Sequence, residues 1–283
     1  MPSIASTLHQ ATLRLGGASP QPEARLDAEI LLCLIMDCPR SYLHTWPERE
    51  LDAQHAQCFM TLIERRATGE PLAYLTGRRE FWSMVLEVTP DTLIPRPDTE
   101  LLVELALQRI PMDGPSWHIA DLGTGSGAIA LAIASERPAC HVIATDRATA
   151  ALTVAQRNAT NLNIHNIEFR EGHWLAPLQG ETFHLIASNP PYISSLDLRL
   201  STSDIRFEPL SALASGIDGL DDIRIIAETA RQHLVTGGWL LLEHGYDQGD
   251  ATLQILRNLG YQEICGHRDF AGMDRVVSGR APA

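Results

Sequence analysis

The sequence predicts an α/β protein: a mostly parallel sheet with helices on both faces, led by a small helical bundle. Three observations carry that prediction. Up to about residue 68, apolar residues recur at helical spacing and no strand pattern appears. Beyond Pro97, short β-branched runs alternate with helical segments, the order that builds a parallel sheet covered on both faces. The 283 residues also exceed the roughly 100–200 of a usual single core, so a large domain with a smaller companion is expected.

In the first part, Ser3 can cap a helix through Ile4, Leu8, Thr12 and Leu15, ended by Gly16-Gly17. Residues 22–37 carry Leu26, Ile30, Leu31, Leu34 and Ile35 at helical spacing, and Pro39 stops that helix. Asp52 can cap a third helix through Phe59, Leu62 and Ile63, closed by Gly69. Residues 81–88, aromatic and β-branched between Gly77 and Pro90, read as a hairpin or extended connector. Helix 98–109 follows, then strand 118–122, a glycine loop, helix 128–137, strand 141–146, helix 148–158 and strands 166–170 and 183–188. Helix 221–234, strand 239–244, helix 251–259 and strands 261–265 and 274–278 complete the chain. The result is a Rossmann-like, seven-stranded, mostly parallel sheet, whose closely connected last pair suits an antiparallel edge.

Composition narrows the function. The formal net charge is -13. An acidic chain is a poor general binder of nucleic acid, because phosphate contacts need clustered Lys and Arg. The five cysteines form no C-x-x-C pair, so reduced thiols in a cytoplasmic protein are expected, and neither a disulfide frame nor a zinc site. No apolar run approaches the roughly 20 residues of a membrane span, and no basic segment followed by an apolar core opens the chain.

Two features point to a nucleoside ligand. Asp121-Leu122-Gly123-Thr124-Gly125-Ser126-Gly127 follows an apolar strand and opens a helix. Glycines serve where a ligand approaches the backbone and where φ turns positive, and free N–H groups at a helix start can face an anion. Asp146 ends the next strand, about 20 residues on, where an acid can accept both ribose hydroxyls. It can equally cap the following helix. The spacing is G-x-G-x-G and no second nucleotide-binding half is visible, which favours an adenosyl ligand over NAD.

The chemistry lies in Asn189-Pro190-Pro191-Tyr192, which follows strand 183–188 and so falls at the carboxyl edge of the sheet, beside the glycine loop. An amide or aryl-amine nitrogen is a poor nucleophile because its lone pair is delocalised. A site that alkylates it must hold its N–H groups on acceptors and aim the lone pair at the incoming carbon. The Asn189 side-chain carbonyl and the Pro190 main-chain carbonyl can be those acceptors. The prolines stiffen them and Tyr192 can stack on the planar group. Positioning of this kind is worth about 7–11 kcal/mol in aligned intramolecular reactions. No strong base and no metal are required, and no H-E-x-x-H occurs among the 11 histidines.

Together these residues resemble the release factor glutamine methyltransferase family (PrmC/HemK type) of class I methyltransferases. The likeness runs over nearly the whole chain: a helical N-terminal part, 93–100 (LIPRPDTE), the glycine loop, 172–175 (GHWL), Asn189–Tyr192, 207–209 (FEP) with Ala212-Leu213, and 216–220 (GIDGL). It implies three regions: 1–70 as a helical substrate-recognition domain, 71–97 as a hairpin or linker, and 98–283 as the methyltransferase domain. It implies S-adenosylmethionine as cofactor, contacted by Gly123, Thr124, Gly125, Ser126, Gly127, Asp146, Trp174 and Asn189, with Asp121 near its methionine end. It implies the glutamine of the Gly-Gly-Gln loop of bacterial class I release factors as substrate. Asn189, Pro190, Pro191 and Tyr192 would contact that glutamine, and the product would be N5-methylglutamine. Arg96 and Glu100 either order the mouth of the site, hold the connector, or simply pair at the surface. Phe207 and Glu208 either touch substrate or pack. Two residues depart from the family pattern, His173 and His184, each standing where an Asp is usual. The same chemistry would also suit a ribosomal-protein glutamine or N6 of adenine.

Overall fold

The computed structural model describes residues 2–16, 22–112, 116–202 and 204–282. The chain forms two compact units, Met1–Gly77 and Arg78–Ala283.

The first unit is helical: α1 (Ile4–Gly16), α2 (Pro22–Met36), α3 (Arg40–Thr45), α4 (Ala53–Ala67) and α5 (Leu72–Thr76). Ile4, Leu8, Leu31, Phe59 and Ile63 bury their side chains in one cluster. Asp52 caps α4 as its side chain suggests, accepting from the His55 N–H at 2.9 Å. The short helices α3 and α5 were not legible. α2 ends at Met36, ahead of Pro39 as expected, and Pro39 and Pro71 each also precede a new helix. A helix start leaves its first N–H groups without intrahelical partners, so proline's missing donor costs nothing there. The Gly17 stop expected for α1 lies outside the described residues.

The second unit begins with a hairpin, β1 (Arg78–Phe81) and β2 (Met84–Glu87). Its turn, Trp82-Ser83, falls inside the apolar run that read as one extended stretch, and both residues take positive φ (51° and 57°). Glu100 and Glu136 hold this unusual turn: the Trp82 N–H donates to Glu100 Oε1 and its indole N–H to Glu136 Oε1, each at 2.9 Å.

The main sheet contains β3 (His118–Leu122), β4 (His141–Asp146), β5 (Ile167–Glu171), β6 (Phe183–Ser188), β7 (Leu234–Glu243), β8 (Gln262–Arg268) and β9 (Asp274–Arg280), in the order β5-β4-β3-β6-β7-β9-β8. All neighbours are parallel except those of β9, which runs antiparallel to β7 and β8. Helix α6 (Glu100–Arg109) precedes β3, and α7 (Ala128–Glu136), α8 (Thr149–Asn161), α9 (Arg199–Thr202), α10 (Asp221–Ala230) and α11 (Gly249–Asn258) lie in the connections between strands. Alternate strand residues separate into two cores. Leu185, Ala187 and Leu241 pack with α6 and α7, whereas Ile186, Leu240 and Leu242 pack with α10 and α11. This is why the strands read as continuous apolar runs.

β7 starts at Leu234, earlier than the 239 expected, and α10 stops at Ala230. The Gly237-Gly238 pair reads as a breaker but is absorbed as an irregularity in the β6–β7 register, with Gly237 at φ +75°. The chain winds outward from β3 to β5, then returns to β6. That reversal opens a crevice at the carboxyl ends of β3 and β6, the usual ligand position in such sheets. Among the described residues no helix is long and apolar enough to cross a membrane.

Candidate active site

The glycine loop is anchored from below. Asp121 is fully buried, and its Oδ2 accepts from the Thr124 hydroxyl (2.6 Å) and the Ala130 N–H (3.2 Å). Burial pushes this carboxyl up to about 7, against the two hydrogen bonds, and the Asp146 charge adds to the rise. The Gly123 and Thr124 N–H groups donate to the Thr145 carbonyl and tie the loop to β4 (2.8 and 2.9 Å). Two glycines do different work. Gly123 has φ +74°, and a Cβ there would meet the Trp174 ring at 2.8 Å. Gly125 has φ +57°, and a Cβ there would enter open space.

That space is a cleft of about 670 Å³, part of it open to solvent. Gly123, Gly125, Asp146, Trp174, Asn189 and Pro191 all line it, although they come from four separate loops. Thr124, Ser126 and Gly127 do not: they shape the loop, with the Ser126 carbonyl accepting from Asn158 Nδ2 at 2.9 Å. Asp121 stays beneath the loop as its anchor. Asp146 accepts the Gly125 and Ala148 N–H groups, one on each oxygen, at 2.9 Å each. A carboxylate oxygen has two lone pairs, so each retains one for a further donor. Trp174 is buried at φ +50°; its indole N–H donates to Asp222 Oδ1 at 3.2 Å. His173 also lines the cleft, its ring 5.3 Å from the Trp174 ring. His184 is remote from the cleft, at the start of β6, stacked on Trp117 at 5.1 Å and accepting the His118 N–H.

The β3–β6 register pairs Leu122 with Ser188, which sets Asn189 beside Gly123. The Ser188 hydroxyl fastens the two strand ends by donating to the Leu122 carbonyl at 2.7 Å. Asn189 Nδ2 donates to Thr99 Oγ1 at 3.2 Å. A second cleft, of about 430 Å³, is lined by Arg96, Asn189, Pro190, Tyr192, Ile205 and Leu213. Asn189 therefore stands in the wall between two clefts and faces both. The Tyr192 hydroxyl donates to Glu243 Oε1 at 3.5 Å, and burial raises its phenol well above the usual range.

Arg96 and Glu100 do not pair with each other. Arg96 pairs with buried Glu208, whose other oxygen accepts the Ile94 N–H at 3.1 Å, so this pair orders the mouth of the second cleft. Glu100 holds the hairpin turn instead. Phe207 lines neither cleft; the Arg206 guanidinium lies 4.6 Å over its ring. Sequence reasoning missed Glu243 and the role of Thr99. Thr99 lies within a motif that was noticed, whereas Glu243 ends an apolar strand and carries no signal of its own.

Similarity to known proteins agrees with this geometry. The "PrmC N-terminal domain" matches residues 6–77 and the "Methyltransferase small domain" residues 98–206. A release factor glutamine methyltransferase from Vibrio cholerae is 51% identical over 280 residues, covering 98% of this chain and 96% of that protein. The chain belongs to the release factor glutamine methyltransferase family. The family member of Pseudomonas aeruginosa is likewise 51% identical, over 92% of this chain and 93% of its own length. A methyltransferase structure from Pyrococcus furiosus superposes with a TM-score of 0.53 at 19% identity, over 70% of this chain and 89% of that one, and shares the fold. The chain is thus a methyltransferase of this family, and both the glycine loop and Asn189–Tyr192 fall inside the matched methyltransferase segment.

Proposed function

We propose that the chain transfers the methyl group of S-adenosylmethionine to the side-chain amide nitrogen of the glutamine in the Gly-Gly-Gln loop of bacterial class I release factors, giving N5-methylglutamine. The observation that carries this reading is the position of Asn189, shared between the cleft at the glycine loop and a second cleft lined by Pro190 and Tyr192. The family membership supports the choice of substrate.

The residues present suit the cofactor. Gly125 leaves room where a side chain would intrude, Asp146 keeps acceptor capacity for ribose hydroxyls, and Trp174 offers an aromatic wall for adenine. Thr124, Ser126 and Gly127 contribute by holding the loop in shape. When bound, the cofactor supplies an electrophilic methyl carbon on a positively charged sulfur. In the second cleft, the Asn189 and Pro190 carbonyls accept the two N–H bonds of the glutamine amide. Tyr192 packs on its plane and Arg96, fixed by Glu208, borders the entrance. The nitrogen becomes acidic once alkylated and releases its proton to solvent, so no protein base is assigned. The helical unit, residues 1–77, supplies the protein–protein contact in this reading.

The test incubates the enzyme with labelled cofactor, a release factor, ribosomal protein and DNA, followed by peptide mass spectrometry. One added methyl on the Gly-Gly-Gln glutamine is expected. Label on ribosomal protein or DNA, with the release factor unmodified, overturns the substrate assignment.

A further inference from the structure

Among the described residues, three carboxylates line the cleft at the glycine loop: Asp91, Asp146 and Asp222. The Asp146 oxygens hold the Gly125 and Ala148 N–H groups, where the loop meets α8. Asp91 folds back on its own bend, its Oδ2 accepting from the Thr89 hydroxyl at 3.4 Å. Asp222 serves neither the loop nor a bend.

Asp222 is half-buried in the first turn of α10. Its N–H donates to the hydroxyl oxygen of buried Ser215 at 2.9 Å, and its Oδ1 accepts the Trp174 indole N–H at 3.2 Å. Backbone and side chain are both held, yet only one carboxylate oxygen is used. Oδ2 accepts no hydrogen bond among the described residues, and a carboxylate oxygen can only accept. The indole bond also says where the carboxylate stands. An indole N–H lies in the plane of its ring, so its acceptor sits beyond the rim of the ring and not over its face. A flat base packed on the face of Trp174 lies offset and parallel to it, and carries the groups of its own edge past that rim. Adenine's edge bears a 6-amino group, a donor; a 6-oxo purine has an acceptor at that position. The neighbouring His173 ring, which can donate or accept, makes no such choice.

We propose that Asp222 is a specificity-determining residue: its Oδ2 accepts an N–H of the 6-amino group of the cofactor's adenine, so that the cleft selects adenine over 6-oxo purines. The inference rests on the reading of Trp174 as the wall for adenine.

Calorimetry with S-adenosylhomocysteine and with S-inosylhomocysteine, in which a carbonyl replaces the 6-amino group, tests this without turnover. The wild-type protein is expected to bind the adenine ligand at least about 10-fold tighter, because a site built to accept an N–H rejects an analogue that lacks it. Asp222→Ala should weaken the adenine ligand roughly 10- to 100-fold, as for a lost hydrogen bond to a charged group, and bring the two ligands within about 3-fold of each other. Asp222→Asn makes a sharper prediction. Its one carbonyl goes to the Trp174 N–H, so its NH2 group faces the base and the preference turns toward the 6-oxo ligand. Had Asp222 no task beyond steadying Trp174, both variants would weaken the two ligands in equal proportion. That outcome, or a wild-type protein that does not discriminate, overturns the inference and leaves the cofactor assignment standing. A wild-type protein that binds neither ligand overturns the cofactor assignment, and this inference with it.

Discussion

In the proposed mechanism, Asn189 separates binding from transfer. It borders both clefts, and its amide NH2 donates to Thr99 Oγ1. Asn189→Ala is therefore expected to lower single-turnover rates by about 100-fold or more, of the order seen when one preorganised hydrogen-bonding group is lost. Calorimetric affinity for S-adenosylmethionine should stay within a few-fold; an unchanged turnover would refute the acceptor role. The two glycines give a contrast of their own. Gly123→Ala drives a methyl into the Trp174 ring and should both weaken the cofactor and lower stability by about 1–3 kcal/mol. Gly125→Ala meets no protein atom, so its stability loss should be smaller, while its cofactor affinity falls because the methyl enters the cleft. Equilibrium unfolding and calorimetry on both variants separate the two effects. At this scale the motif residues were legible because their chemistry is particular to their types. The partners of Arg96 and Glu100 were not, since an acid four positions from an arginine suggests a local pair, whereas Glu208 and Trp82 come from other parts of the chain.

The elements show where local pattern is outvoted. The hairpin turn places Ser83 at φ +57°, a conformation glycine adopts without steric cost. Ser83→Gly should raise the melting temperature by about 1–3 °C, with activity unchanged. A lower melting temperature would mean the seryl side chain contributes more than its backbone strain costs. The same turn explains why residues 81–88 read as one stretch: Trp82 and Ser83 lack the usual turn signals, and Glu100 and Glu136 hold the turn from elsewhere in the chain. Strands β3, β4 and β6 were legible because burial on both faces leaves an apolar run. The start of β7 was not, because Gly237-Gly238 breaks a pattern that pairing with β6 restores.

For the whole molecule, two fully buried acids govern one part of the pH response. Burial raises Asp121 and Glu243 each to about 7. A carboxyl raised in the folded state binds more protons there than when unfolded, so its contribution to stability falls as pH rises from about 4 toward 7. Asp121→Asn removes one such term. Relative to wild type, the variant should gain stability progressively over that interval and keep the gain at pH 8, as read from urea unfolding at pH 5 and pH 8. A gap that narrows with rising pH would contradict the assignment. Asp269, held low against its burial by the Met273 N–H, Arg275 and the Ala271 N–H, and Asp218, held low chiefly by Arg224, act in the opposite sense, losing their contribution as pH falls. The comparison between variant and wild type isolates Asp121 from them.

The sequence by itself determined the alternation of strands and helices, the glycine loop, the acid after the second core strand and the tetrapeptide. Each of these is written in neighbouring residues whose spacing or chemistry has few other uses. Tertiary structure alone decided which loop residues line the cleft and which merely support it, that Arg96 joins Glu208, and that Asn189 donates to Thr99. Those partners lie 90 and 112 positions apart, and a one-dimensional pattern holds no record of which distant side chains the winding of a sheet will bring into hydrogen-bonding reach.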